Sequence, residues 1–334
     1  GRSLLALRTD IPAKGFGAQK LTQAAVQPAL IVKDGRFEQW HGQQLRTDGG
    51  RFFLAGPELP GIPLIDVVER IAHAASGERP DTGAMGAHSR QLVRFLRAMV
   101  TMLQHHEKPV RMTNGWFIVE SDGVLALSGM LAEVLETYTP GDTQAVTRYP
   151  YDDGEKDAVS GSVYFAAAVA YHGITGSPLC TGNDRDELTN CHDSESKPPV
   201  WSRNPRVRHE LASLIDGILT RSAPRQIESL VTLADTLERG ILEDVSVREA
   251  ERRRAESTNA YAVAKKRSDR VGYLKKRWRQ IAMIVAAALA VLSIPFSIVR
   301  SRLEAPVTQG MPPKAVVQTY FDAWDQLDHM TMQD

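Results

Sequence analysis

A run of nineteen residues without a charged side chain, IAMIVAAALAVLSIPFSIV at residues 281–299, constrains this chain more than any other feature. A helix of this length extends roughly 28 Å at about 1.5 Å per residue, close to the thickness of a bilayer's hydrocarbon core. A buried core helix is the alternative, but core helices are rarely apolar on every face. The sequence therefore predicts one transmembrane helix over residues 281–299.

The charges around this run predict its orientation. The whole chain is formally neutral, with 40 basic and 40 acidic residues, yet residues 252–279 carry a net charge of +9. The positive-inside bias places such a segment, and the large region before it, in the cytoplasm. We therefore expect a single-pass membrane protein with a cytoplasmic N-terminal region and with residues 300–334 opening an extracytoplasmic region. Basic side chains next to the run set this topology and also suit anionic lipid headgroups: Lys275, Lys276, Arg277 and Arg279.

The first 225 residues have the pattern of a folded α+β domain. Short β-rich runs come first, and one of them, residues 29–40, predicts a hairpin that turns at Asp34–Gly35. Helical periodicity follows at residues 88–106, and a nearly all-apolar run at residues 162–176 predicts a buried helix. Strands followed by helices indicate two lobes of an α+β fold. Further helices are expected over residues 226–270 and 312–330.

Residues 3–225 resemble the protein-kinase fold in the order and spacing of several weak motifs. Leu5–Arg8 is similar to the strand with the catalytic lysine, and Gly15–Val32 is similar to the αC helix and the strand after it. A second hairpin, turning at Asp122–Gly123, resembles the pair of strands that flank the metal-binding motif. The segment from Ser162 to Pro178 is similar to the αF helix and its Thr-Gly-x-x-Pro ending.

The resemblance is to kinases of the bacterial membrane-anchored Ser/Thr type, and it implies a place in the bacterial inner membrane and a domain organisation. A kinase-like domain would occupy residues 1–225, with an N-lobe over about 1–56 and a C-lobe over about 57–225. A helical, basic juxtamembrane linker would follow at residues 226–280, before the predicted transmembrane helix.

The same resemblance implies that the kinase machinery is degenerate. Phosphoryl transfer in kinases uses a Lys–Glu pair, an Asp near the transferred proton, and an Asn and an Asp that hold Mg²⁺. Only PVRMTNG, without a carboxylate, lies between Lys108 and Trp116, where the catalytic loop belongs. Six residues stand at positions where the resemblance would place functional groups of active kinases: Arg8, Gln19, Asn114, Ser128, Gly129 and Ser162. Asn114 is interpreted either as a displaced metal-binding Asn or as a turn residue. We therefore expect no catalytic residue, no metal site and no cofactor.

The function predicted from this reading is that of a pseudokinase, a signalling or scaffold module that couples a cytoplasmic protein partner to an extracytoplasmic domain. One alternative is an atypical Ser/Thr kinase that still binds ATP, with a vestigial cleft at Ala6, Leu54 and Leu127. Another is a membrane-anchored adaptor of unrelated fold. A homodimer through the membrane helix is compatible with the first reading, and nucleic acid is not an expected partner.

The two cysteines, Cys180 and Cys191, lie in a polar stretch next to His192. Their spacing is not that of a zinc ribbon or a thioredoxin motif, in both of which two residues separate a pair of cysteines. In a reducing cytoplasm we expect two free thiols, and we read the acidic residues between and after them as a solvated loop.

Overall fold

The computed structural model describes residues 4–12, 16–25, 27–40, 44–48, 51–57, 61–76, 82–119, 123–137, 151–181, 191–192, 196–220, 224–267, 282–283, 289 and 309–326. The chain divides into two compact units, residues 1–268 and residues 269–334.

A three-stranded antiparallel sheet forms from the first part of the chain. Its strands are β1 (Leu4–Pro12), β4 (Gln44–Asp48) and β5 (Arg51–Pro57), in the order β1-β5-β4. Helix α1 (Phe16–Ala25) follows β1 and contacts it. The central strand β5 pairs with β1 on one side and with β4 on the other.

A five-stranded antiparallel sheet has the order β3-β2-β8-β7-β6. Its strands are β2 (Ala29–Lys33), β3 (Arg36–Trp40), β6 (Gly61–Pro63), β7 (Trp116–Val119) and β8 (Val124–Ala126). The predicted hairpin at Asp34–Gly35 is confirmed: both turn residues have positive φ, 49° and 73°, as a two-residue hairpin turn requires. Strands β7 and β8 pair as predicted, and Asp122 itself lies outside the described residues.

Helices make up most of the remaining described residues of the first unit. They are α2 (Leu64–Ser76), α3 (Thr82–Gln104), α4 (Gly129–Thr137), α5 (Ala158–Thr175), α6 (Val200–Arg203), α7 (His209–Leu219), α8 (Ile227–Glu238) and α9, residues 247–267. Helix α8, within the predicted linker, contacts α3, α5 and α7. The predicted helix over residues 88–106 corresponds to most of α3.

Helix α5 is the centre of the core and confirms the buried helix predicted at residues 162–176. Every residue from Gly161 to Ile174 is buried, and α2, α7 and α8 pack around it. The Asp157 carboxylate accepts a hydrogen bond from the Ser160 N–H at 2.7 Å and caps the first turn. Gly176, with φ 81°, ends the helix in a left-handed conformation that suits glycine.

The predicted fold class is wrong in two respects. The strands of residues 1–56 do not stay together: β2 and β3 join β6, β7 and β8 in the five-stranded sheet, because β2 pairs with β8 along Leu30–Val32. In addition, no helix within the described residues is long and apolar enough to cross a membrane. A bilayer-spanning segment needs about 20 apolar residues in one continuous helix, because lipid offers no partner for free backbone groups. Residues 281–299 lie outside the described residues apart from Ala282, Met283 and Leu289.

The second unit contains helix α10 (Pro313–Asp325), which confirms the helix predicted within residues 312–330. Pro313 stands in its first turn, where a missing N–H costs no hydrogen bond. Large apolar side chains are exposed along it, among them Phe321 and Trp324.

Candidate functional site

The segment between α3 and β7, where a kinase would have its catalytic loop, forms a tight turn. Residues Thr113–Gly115 make one turn of 3₁₀ helix, and the Trp116 indole N–H donates to the Val110 carbonyl at 2.8 Å. A Cβ on Gly115 would clash with the Val110 side chain, so this turn needs glycine for its close packing. The Leu127 N–H donates to the Gly115 carbonyl and joins the turn to the end of β8.

Arg111 places a positive charge in this turn, and sequence analysis missed its role. Its Nη1 donates to the Glu155 carbonyl oxygen at 2.7 Å and lies 3.3 Å from the Asp152 carboxylate. The Asp152 side chain is only 7% exposed, so the ion pair is shielded from water. The guanidinium also lies against the backbone of Gly161, the first buried residue of α5. Arg111 therefore joins the turn to the start of the core helix.

Asn114 lies in the 3₁₀ turn and is partly buried. Its Oδ1 atom is buried and accepts no hydrogen bond from any residue that the structure describes. A buried amide oxygen left without a donor costs about 1–3 kcal/mol. The described residues contain no group of three or more His, Cys, Asp or Glu side chains that could hold a metal ion.

Ser128 and Gly129 form the start of α4. The Ser128 hydroxyl accepts a hydrogen bond from the Leu131 N–H at 3.2 Å, and its carbonyl accepts one from the Ala132 N–H at 3.0 Å. Ser128 is therefore the N-cap of this helix, and Gly129 is its exposed first residue. The role of these two residues in the structure is to begin and cap α4.

The remaining predicted positions are spread over several elements. Arg8 lies on β1 opposite Phe53, Gln19 is exposed on α1, and Ser162 is buried in α5. Of the three cleft residues, Ala6 on β1 and Leu54 on β5 lie in the three-stranded sheet, whereas Leu127 is buried after β8. Leu127, Ser128 and Gly129 also line an open cavity of about 550 Å³ beside the end of α3. The four basic residues from Lys275 to Arg279 lie outside the described residues, and their contact with lipid stays a prediction.

Two tyrosine–histidine pairs are built on α5. The Tyr164 hydroxyl lies 2.7 Å from Nδ1 of His192, and the Tyr151 hydroxyl lies 2.7 Å from Nδ1 of His172. Burial raises the pKa of both tyrosines, so both hydroxyls stay protonated and act as hydrogen-bonding groups. Burial, followed by the charge of Arg203, lowers the pKa of His172 to about 4.

The Tyr164 pair belongs to a larger buried network. The Arg225 guanidinium lies 4.5 Å from the centre of the Tyr164 ring and forms an ion pair with Asp153. The side chains of both ion-pair partners are almost completely buried. Lys197 donates to the His192 carbonyl oxygen at 3.0 Å. Local spacing carries no sign of this network, because its members lie on separate segments of the chain.

Cys180 and Cys191 form a disulfide, so the prediction of two free thiols is wrong. Their Cα atoms are 5.8 Å apart, which is within the usual range for a disulfide. The spacing of the cysteines in the sequence excluded the common metal-binding motifs. It does not determine how close the two cysteines lie in the folded chain. The Cys180 sulfur also lies 3.6 Å from Nδ1 of His192, which links the disulfide to the Tyr164 network.

Comparison with known proteins adds little to this geometry. No protein-family model matches the chain, and no curated protein matches its sequence. Among solved structures, "PpkA-294 apo form" is similar with a TM-score of 0.41 and 17% sequence identity, over 65% of this chain and 73% of that chain.

Proposed function

We propose that the first unit is a kinase-like module that transfers no phosphoryl group and acts by binding another protein. The observation that carries the proposal is the structure at Ser128 and Gly129. Where the resemblance would place the metal-binding carboxylate, this chain has a serine that caps α4 and a glycine that starts it. Neither residue offers a carboxylate to a divalent cation, and oxygen ligands of that kind are what Mg²⁺ uses in nucleotide sites.

The charge in the neighbouring turn supports the same proposal. Arg111 occupies the segment in which a kinase has its catalytic carboxylate, and it pairs with Asp152. A carboxylate held by a guanidinium accepts hydrogen bonds from that group and is less available to a metal ion or to a substrate hydroxyl. The turn is thus arranged to join two segments of the fold.

The test measures ATP binding and phosphoryl transfer on the 334-residue chain. Calorimetry with ATP, alone and with Mg²⁺ or Mn²⁺, reports binding, and transfer of radiolabelled γ-phosphate to the chain or to a generic protein substrate reports turnover. We expect no transfer under any of these conditions. Metal-dependent transfer would overturn the proposal and favour the atypical kinase. An active kinase assayed in parallel provides the control for the substrate and the label.

A matched pair of variants tests whether the missing carboxylate alone prevents phosphoryl transfer. Ser128→Asp keeps a side-chain acceptor at the N-cap of α4 and adds a carboxylate at this position. Ser128→Ala removes the acceptor. We expect neither variant to transfer phosphate. Transfer gained by Ser128→Asp would show that the missing carboxylate is the main barrier to catalysis, whereas transfer by Ser128→Ala would contradict the proposal.

A further inference from the structure

A cavity of about 270 Å³ lies between residues 196–199, the end of α7 and the middle of α9. Leu219, Tyr261 and Ala264 are among the residues that line it, and the Asp216 carboxylate is also part of its wall. Pockets that hold cofactors or drug-sized ligands usually measure about 300–1,000 Å³. This cavity is therefore closer to the size of one inserted side chain.

One oxygen of the Asp216 carboxylate accepts a hydrogen bond from the protein. Its Oδ1 accepts a hydrogen bond from the Val200 N–H at 2.9 Å, and no other described residue is hydrogen-bonded to this carboxylate. Burial raises the pKa of Asp216 to about 6, although the Val200 N–H acts in the opposite direction. A neighbouring cation would lower the pKa further, and none contributes. The carboxylate thus faces the cavity without a counter-charge from the described part of the chain.

Two other polar side chains of the wall, Lys197 and Thr220, are hydrogen-bonded to backbone carbonyl oxygens. The Lys197 ammonium donates to the His192 carbonyl oxygen at 3.0 Å and lies 5.5 Å from the centre of the Tyr164 ring. The Thr220 hydroxyl donates to the Asp216 backbone carbonyl at 2.8 Å. Arg203, which is close enough to influence the pKa of Tyr171, donates to Ser177 and Pro178. Lys197 and Arg203, both in the described part of the chain, are therefore hydrogen-bonded to other acceptors.

We propose that this cavity binds the basic side chain of a protein partner, with its ammonium or guanidinium group paired with Asp216. The aliphatic part of that side chain would pack against Leu219, Tyr261 and Ala264. A partly buried carboxylate gains most from a partner that brings both a positive charge and hydrogen-bond donors. The inference rests on the proposed protein-binding function and names the chemistry that the partner presents.

The experiment uses the 334-residue chain and short capped peptides, Gly-Gly-X-Gly-Gly, in which X is lysine, arginine or norleucine. Norleucine keeps the aliphatic stem of lysine without its charge. Saturation-transfer NMR reports which protons of X contact the protein, and a titration gives the affinity. We expect the lysine or the arginine peptide to bind at least about tenfold more tightly than the norleucine peptide, equivalent to about 1.4 kcal/mol.

Two variants test the site itself. Asp216→Asn removes the charge and keeps an oxygen that accepts from Val200, and we expect it to abolish the preference for a charged X. Ala264→Trp fills the cavity from an exposed position on α9, and we expect it to prevent binding without lowering the melting temperature. Asp244→Asn, at an exposed position, is the matched control and should bind as the unchanged chain does.

Equal binding of the lysine and norleucine peptides would overturn the proposal, and so would an absence of binding by both charged peptides. Charge-selective binding that survives Ala264→Trp would place the site elsewhere and would also contradict it. The ATP assay tests the proposed function separately. Phosphoryl transfer by a chain that also binds basic peptides at Asp216 would refute the non-catalytic module and leave the cavity's chemistry standing.

Discussion

The Arg111 guanidinium lies so close to the backbone of Gly161 that any side chain at position 161 would displace it. The displacement would break the hydrogen bond from Arg111 to the Glu155 carbonyl and the ion pair with Asp152. The glycine at the start of α5 therefore leaves the space in which an arginine fifty residues earlier in the chain makes these contacts.

Gly161→Ala should lower the free energy of unfolding by about 1–3 kcal/mol, because Asp152 would keep its buried position and lose its contact with Arg111. Urea denaturation measures this change. Gly217→Ala is the matched control, since Gly217 is an exposed helical glycine with open space around its Cα. That variant should be neutral or stabilising by about 0.5–1 kcal/mol.

A double-mutant cycle tests the stated cause. In an Arg111→Ala background, Gly161→Ala should cost far less than in the unchanged chain, because the group that it displaces is gone. Additive effects of the two substitutions would contradict this cause.

Replacing both cysteines should destabilise the first unit. The bond between Cys180 and Cys191 closes a loop of sequence separation 11, and disulfides typically contribute about 2–4 kcal/mol. We expect the Cys180→Ser, Cys191→Ser double variant to unfold at lower urea concentration than the oxidised chain, and a reductant to change the unfolding of the oxidised chain only.

Thiol titration in denaturant gives the decisive count. The oxidised chain should show no reactive thiol before reduction and two after it, since it has two cysteines in all. Two reactive thiols before reduction would contradict the disulfide. Because disulfides are uncommon in reducing compartments, the same assay on protein extracted under alkylating conditions also tests the predicted cytoplasmic location.

Stability should fall between pH 6.5 and pH 4 through His172. Burial lowers its pKa from 6.5 to about 4, so in this window the unfolded chain binds a proton that the folded chain does not. The stabilisation is complete above pH 6.5, is lost as the pH falls, and amounts to on the order of 3 kcal/mol. Urea denaturation across this range measures it.

The contribution of His172 is isolated by comparison with His172→Gln, which retains a hydrogen-bonding group near Tyr151 but does not titrate. The comparison is needed because Asp216 acts in the opposite direction: its raised pKa makes the folded chain bind the extra proton between about pH 4 and pH 6. An NMR titration of the imidazole with a midpoint near 6.5 would contradict the lowered pKa.

Ser128→Ala should lower the free energy of unfolding by about 1 kcal/mol, the usual cost of losing an N-cap acceptor. Ser128→Asp should restore that stability, because a carboxylate accepts from the Leu131 N–H and suits the positive end of the helix dipole. Thermal melting of both variants measures the difference. Equal melting temperatures for the serine and alanine forms would contradict the capping role.

The elements that local pattern determines were predicted from the sequence. Asp34–Gly35 forms the expected turn because its positive φ angles suit these two residues, and α5 is helical and buried because its side chains are apolar on every face. Helices α3 and α10 follow the same logic of helical periodicity. The sequence also shows directly that positions 128 and 129 carry no carboxylate, because they are a serine and a glycine.

Other features were decided only by tertiary structure, because they join segments that sequence spacing cannot relate. The pairing of β2 with β8 connects residues about ninety-five positions apart, and it assigns the first hairpin to the five-stranded sheet. Three other contacts also join separate segments of the sequence: the ion pair of Arg111 with Asp152, the disulfide, and the contact of Tyr164 with His192. The sequence by itself determined local conformation through periodicity, turn chemistry and capping. Only the folded chain decided which buried charges and hydroxyls meet, because that depends on distances that close packing sets.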